Sequence, residues 1–214
     1  NRESQEIVNL KKSQKFFKTE YPQKIPYYYA FTINHVKLDG LWLEFGVWTG
    51  TSANIISKFM KYFGHKKILY GFDSFEGLPE DWSDPITGEI QKEGAKGFFS
   101  LNGYVPKPPS EDIVYVKGWF DETLPTFTKD FKDPVAFLHV DCDLYSSTKT
   151  IFENLEDRIV PGTVIMFDEI HGYPGHHVHE VKAFAEFVEK TNAQYEWIGH
   201  VSDGRQASLI ITER

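Results

Sequence analysis

From Leu41 to Thr212, short apolar runs alternate with amphipathic segments, and this alternation restricts the chain more than any other feature of it. The runs Leu41–Phe45, Ile68–Phe72, Ile113–Val116, Val135–Val140 and Thr163–Phe167 are rich in aliphatic and aromatic residues, as buried strands are. Between the first two, Ile55, Ile56, Phe59, Met60 and Phe63 fall on one helical face, which Gly64 can terminate. Ile151, Leu155 and Ile159 repeat every four residues behind Ser146 or Ser147, either of which can cap a helix. His179–Lys190 reads as a further helix. Tyr195–Val201 and Ala207–Thr212 read as two strands joined by the hairpin signal Ser202-Asp203-Gly204. Strands that alternate with helices imply a parallel sheet covered on both faces. The expected fold is therefore α/β and Rossmann-like: a seven-stranded, mostly parallel sheet with a terminal antiparallel strand and helices on both faces.

A length of 214 residues favours one domain over 1–214. Ile7, Leu10 and Phe17 form a stripe that predicts a helical segment within residues 1–40, and Pro26–Val36 predicts a second helix. Both are expected to pack on the main domain or at a dimer contact, so a homo-oligomer stays open. Asp81–Asp112, rich in Gly and Pro, carries Trp82, Phe98, Phe99 and Tyr104; a connection this long is expected to be a lid over a ligand. The chain opens at Asn1 rather than Met, which leaves an upstream segment open, and no signal peptide is visible. No apolar run approaches the ~20 residues that span a bilayer, so no membrane partner is expected. The net charge of −8 opposes a phosphate-neutralising surface, so nucleic acid is not expected either. Cys142, the single cysteine, fits a reducing, cytoplasmic compartment and reads as a buried inert thiol.

In open α/β sheets ligands bind at the carboxyl ends of the strands. The first strand ends in Glu44-Phe-Gly46-Val-Trp-Thr-Gly50, then Thr51, before the helical segment Ser52–Phe63. Its two glycines permit a tight turn and close approach to a ligand. Trp48 stands where dinucleotide-binding turns keep the glycine that admits a pyrophosphate, so the pattern suits S-adenosyl-L-methionine, which has no phosphate. The second strand ends in Asp73-Ser74-Phe75, and an acidic residue there can accept hydrogen bonds from ribose hydroxyls; a solvated turn aspartate is the competing reading. The third ends in Gly118-Trp119, which can flank an adenine ring or simply pack at a helix start. The fourth ends in His139-Val-Asp141-Cys-Asp143 and the fifth in Asp168-Glu169-Ile-His171. Neighbouring parallel strands bring these carboxylates together beside a histidine. Such a cluster repels itself unless a hard divalent cation is present. His176, His177 and His179 are expected on a loop surface, and only His171 is expected to face the carboxylates.

Five ordered segments together resemble the macrocin O-methyltransferase family, which acts on sugar hydroxyls of antibiotics: Leu43-Glu-Phe-Gly-Val-Trp-Thr-Gly50, Phe72-Asp-Ser-Phe-Glu-Gly-Leu-Pro79, Val116-Lys-Gly-Trp-Phe-Asp-Glu-Thr-Leu-Pro125, Asp141-Cys-Asp-Leu-Tyr-Ser-Ser-Thr148 and Phe167-Asp-Glu-Ile-His171. The resemblance implies a class I methyltransferase fold, S-adenosyl-L-methionine as methyl donor, and transfer to a hydroxyl of a small molecule assisted by Mg2+ or Mn2+. It implies Asp141, Asp168 and Glu169 as metal ligands, although the family's acidic pair is usually two aspartates. The expected cofactor residues are Glu44, Gly46, Gly50, Thr51, Asp73, Ser74, Phe75, Gly118, Trp119 and Asp141. Asp141 and His171 are the two candidates for the base that takes the hydroxyl proton. Transfer to a catechol or an amine is a rival reading, as is a cofactor-binding module without chemistry. A nicotinamide-dependent oxidoreductase is disfavoured by Trp48.

Overall fold

A computed structural model describes residues 16–17, 25–201 and 205–214. Seven strands form one sheet: β2 (Leu41–Phe45), β3 (Leu69–Asp73), β4 (Ile113–Lys117), β5 (Val135–Val140), β6 (Val164–Phe167), β7 (Gln194–Val201) and β8 (Ala207–Glu213). A two-residue strand, β1 (Phe16–Phe17), adds to one edge by pairing with the end of β7. The order is β1-β7-β8-β6-β5-β2-β3-β4. β8 runs antiparallel to both of its neighbours, and the other pairings are parallel. Most of the stripe expected to make a helix near the N-terminus lies outside the described residues, but at Phe17 the backbone is strand. The turn Ser202-Asp203-Gly204 also lies outside them.

Among the described residues, five α-helices cover the sheet: α1 (Ile25–Asn34), α2 (Thr51–Tyr62), α3 (Phe120–Asp130), α4 (Tyr145–Leu155) and α5 (Glu180–Thr191). Because strand side chains alternate between faces, each strand contributes to two cores. Leu41, Leu43, Phe45, Leu138, Val140, Ile165 and Phe167 pack under α3, α4 and α5. Trp42, Phe137, Val164 and Met166 pack under α1 and α2, against Tyr28, Ile33, Ile56 and Met60. The α1 helix is also held by polar contacts with the sheet: Thr32 Oγ1 lies 3.0 Å from Ser208 Oγ, and Tyr29 Oη lies 3.4 Å from His139 Nε2.

From β2 the chain winds outward through β3 to β4, then returns to place β5 on the other side of β2. The strand order thus reverses between β2 and β5, and the crevice outside their carboxyl ends is where this architecture places ligands. The two strands stay paired up to the crevice, where the Asp141 amide donates to Phe45 O at 2.9 Å.

Candidate active site

A cleft of about 1150 Å³ opens at this reversal. Its floor is the turn after β2. Gly46 has φ of +94°, and a Cβ there would lie 1.7 Å from Asp141 O, so only glycine lets the two strand ends come this close. Gly50, with φ of +84°, precedes the first turn of α2 and takes the chain into the helix. Thr49, Thr51 and Ser52 line the cleft there, at the partly positive helix end.

Asp73 holds the turn in place. Its Oδ2 accepts from the amides of Val47 and Trp48, both at 2.8 Å, and its Oδ1 accepts from the Phe75 amide at 2.6 Å. A carboxylate offers about four acceptor positions, so most of this one is used on the backbone. Asp73 lines the cleft as expected, with its first task a structural one.

Of the other expected cofactor residues, Ser74 and Trp119 line the cleft with Gly46, Thr51, Asp73 and Asp141, whereas Glu44, Gly50, Phe75 and Gly118 do not. Phe75 is 1% exposed and turned into the core toward the Tyr115 ring, because its φ of +59° swings the side chain away from the opening. Gly50 and Gly118 shape the backbone behind the wall. Glu44 is fully buried, with Oε1 3.2 Å from His139 Nδ1. In β2 it shares the face of Trp42, toward α1 and α2, and so lies beneath the cleft.

The carboxylates converge as expected: Asp141, Asp143, Asp168 and Glu169 all line the cleft. The Asp168 amide donates to Val140 O at 2.9 Å, which carries the β5–β6 pairing on until Asp141 and Asp168 stand side by side. Burial pushes the Asp141 carboxyl well above the usual carboxylate range, and Asp168, Asp143 and Glu44 add repulsion. Burial raises Asp143 to about 7, with Asp168 adding to the shift and Arg205 opposing it. Glu169 is raised to about 8 by burial and by Asp168, again against Arg205. Crowded oxygen donors of this kind fit a divalent cation.

Glu169 lines the cleft with the other carboxylates, and its Oε2 forms an ion pair with Arg205 Nη1 at 2.9 Å. That guanidinium also lies 5.0 Å from the Tyr173 ring centre and 5.7 Å from that of Trp82. His171 does not line the cleft. Its amide bonds to Arg205 O at 3.3 Å, and its ring sits 5.9 Å from that of His200, because the chain turns away from the sheet after Glu169. Among the other histidines, His179 is buried rather than on a loop surface, with Nε2 3.0 Å from Ser83 O.

Reading along the sequence missed Arg205 and Gln206, which reach the cleft from the β7–β8 connection; Gln206 Nε2 donates to Asp168 Oδ1 at 3.1 Å. It also assigned no role to His139. A ring nitrogen of His139, an oxygen of Asp141 and an oxygen of Asp168 lie within 4.8 Å of one another. The two-residue spacing of His139 and Asp141 on a strand was the available signal.

The Asp81–Asp112 connection forms one wall, through Trp82, Gln91, Lys92, Glu93 and Phe99. It is tied to itself by Trp82 N to Gly94 O at 2.7 Å and Gln91 N to Trp82 O at 2.8 Å. Trp82 is buried with Leu78, Leu144 and Tyr173. Phe99 meets Trp48 of the glycine turn with ring centres 5.4 Å apart, while Phe98 and Tyr104 face outward.

An α/β sheet whose strand order reverses beside a glycine turn is a Rossmann-like, doubly wound fold. Within it, a family model described as a methyltransferase domain matches residues 43–170, more than half of the chain, and the chain belongs to that family. An 8-demethyl-8-(2,3-dimethoxy-alpha-L-rhamnosyl)-tetracenomycin-C 4'-O-methyltransferase of Streptomyces olivaceus is 26% identical over 156 residues, 62% of this chain and 57% of that protein. A demethyldecarbamoylnovobiocin O-methyltransferase of Streptomyces niveus is 25% identical over 141 residues, 59% of this chain and 51% of that protein. The chain thus matches little more than half the length of these relatives. The fold matches the crystal structure of a calicheamicin methyltransferase with a TM-score of 0.66, at 18% identity, over 98% of this chain and 91% of that one. The family resemblance and the fold expected from the sequence both hold.

Proposed function

We propose that this chain binds S-adenosyl-L-methionine in the cleft and transfers its methyl group to a hydroxyl of a small molecule, a sugar or glycosylated natural product. The observation that carries this reading is the juxtaposition of the glycine turn after β2 with the acidic ends of β5 and β6 in one cleft. Its volume of about 1150 Å³ exceeds the ~300–1,000 Å³ of a single-ligand pocket, which suits a donor and an acceptor together.

When bound, the donor supplies an electrophilic methyl group. Gly46 and the Asp73-held turn form its floor, and the first turn of α2, with Thr51, is placed to receive its carboxylate. Trp119 offers a flat apolar surface for a base. Asp141 and Asp168, with Glu169 beside them, would hold a divalent cation, Mg2+ or Mn2+. When bound, that cation lowers the pKa of an acceptor hydroxyl and orients it.

Methyl transfer forms an oxygen–carbon bond, breaks the sulfur–carbon bond and releases the hydroxyl proton. The C–S electron pair stays on sulfur. Attack must be nearly in line, so positioning by the cleft walls contributes much of the acceleration. His171 lies outside the cleft, and a carboxylate shared with a cation is a weak base. Asp143, which lines the cleft next to that pair, is therefore the acceptor of the proton. The soluble cytoplasmic setting and the absence of membrane and nucleic-acid partners are part of this reading. It is supported by the negative charge, and no helix among the described residues is long and apolar enough to cross a membrane.

Calorimetry with S-adenosyl-L-methionine and its demethylated product tests the reading. Binding of either one, and none of a nicotinamide dinucleotide, is expected; the reverse pattern would overturn it.

A further inference from the structure

We propose that His139 supplies a nitrogen ligand to the cation held by Asp141 and Asp168, with Glu44 orienting its ring, so that the site takes Mn2+ or Co2+ in preference to Mg2+. The inference rests on the reading above that this cluster binds a cation.

The geometry comes from register. His139 pairs with Glu44 across β2–β5 and shares its strand face with Asp141, two residues on. Asp168 stands beside Asp141 on the next strand. The three candidate donor atoms lie within 4.8 Å of one another. Donors to one ion at about 2.0–2.2 Å each lie no more than about 4.4 Å apart, so the three atoms would draw together around a bound cation.

The hydrogen bonding selects the nitrogen. Nδ1 lies 3.2 Å from Glu44 Oε1; the carboxylate oxygen accepts from it, which leaves Nε2 as the ring nitrogen for an ion. Tyr29 Oη lies 3.4 Å from Nε2, at the long edge of hydrogen bonding. Tyr29 lines the cleft together with Asp141 and Asp168, so the Nε2 edge that meets its hydroxyl is the cleft side of the ring. A histidine that gives one N–H to a carboxylate and turns its other nitrogen to an ion is a recurrent metal-site arrangement. Glu44 is also fully buried, and its Oε2 has no hydrogen-bond partner among the described residues. A carboxylate so placed calls for nearby positive charge. Glu169, the expected third ligand, is paired with Arg205. Imidazole with two carboxylates suits borderline transition ions, whereas oxygen-only sites suit Mg2+.

Pulsed EPR of the intact protein loaded with Mn2+ tests this. The wild type should show nitrogen modulation on the Mn2+ signal. His139→Gln should abolish it and weaken Mn2+ binding ~10–100-fold while leaving Mg2+ binding little changed. Glu44→Gln should keep the modulation and weaken Mn2+ less. If His139→Gln fails to fold, protein labelled with 15N-histidine settles the matter: the modulation must change to the 15N pattern, and Asp168→Asn must remove it. Bound Mn2+ without nitrogen modulation would overturn the proposal and leave the carboxylates as the ligands. No Mn2+ binding at millimolar concentration would overturn both this inference and the metal-assisted reading.

Discussion

Gly46 and Asp73 show how single residues shape the cleft floor. An alanine at position 46 would combine a φ of +94° with a Cβ 1.7 Å from Asp141 O. Strain of this kind costs about 1–3 kcal/mol, and relieving it must part β2 from β5 at the mouth of the cleft. Gly46→Ala should therefore lower the urea midpoint and abolish cofactor binding in calorimetry. Asp73→Ala leaves the amides of Val47, Trp48 and Phe75 without their acceptor. It should weaken cofactor binding by more than tenfold, through the turn as much as through any direct contact; unchanged affinity would show that neither matters. At the acidic wall, Asp143→Asn should reduce turnover ~10²–10⁴-fold with cofactor affinity retained, as for loss of a general base. His171→Ala should stay within a few-fold of the parent, since its ring stands by His200 outside the cleft. A collapse of turnover in that variant would return the base to His171.

At the scale of elements, α2 and the start of β4 are joined by one carboxylate. Asp112 Oδ2 accepts from Ser57 Oγ at 2.8 Å, and Asp112 Oδ1 lies 2.8 Å from Lys61 Nζ and close to Ser110 Oγ. Burial works to raise the Asp112 carboxyl, but the Lys61, Ser110 and Ser57 contacts outweigh it and hold the carboxyl below the usual carboxylate range. A carboxyl depressed in the folded state stabilises the fold above its unfolded pKa of about 3.9, and that contribution fades as pH falls through the lower folded value. Asp112→Ala should cost about 1–3 kcal/mol in urea unfolding at pH 7. The gap from wild type should narrow below about pH 4. A gap independent of pH would assign the loss to packing. The Asp81–Asp112 connection is also an element with its own ties, and its exposed Lys92 and Lys96 offer tryptic sites. We expect it to act as a lid. Trypsin should cut there in the free protein and much more slowly once cofactor and acceptor are both bound. Equal cutting in both states would make it a fixed wall.

For the whole molecule, the acidic cluster couples the sheet to its chemistry. The cluster's four carboxylates, Asp141, Asp143, Asp168 and Glu169, with burial raising three of them, stand together in a chain of net charge −8. A divalent cation bound there would relieve this repulsion in the folded state only, so it should raise the thermal midpoint by mass action. Exhaustive chelation should lower the midpoint and remove methyl transfer, and added Mn2+ should restore both. Full activity after chelation would mean that the carboxylates bind substrate hydroxyls instead.

The order of the strands from β2 to β8, the antiparallel strand near the C-terminus and the carboxylates at the strand ends were legible in the sequence, because each depends on local periodicity or on position at the end of a run, whereas the strand at Phe17 and the helix α3 were not. Pairings between distant residues were not. Glu44 meets His139 across 95 positions and Thr32 meets Ser208 across 176, contacts that exist only once β2 lies beside β5 and α1 lies on the sheet. Phe75 looked like a cleft residue by its place after Asp73, until its left-handed backbone turned it inward. His171 followed the acidic pair in sequence but left the sheet with the chain, whereas Arg205 came from the far hairpin to pair with Glu169. The sequence alone determined which chemical groups stand at the sheet's carboxyl edge, since period and punctuation are local properties. Only the tertiary structure decided which of them face one another, since strand register and the alternation of faces assign every side chain its neighbours.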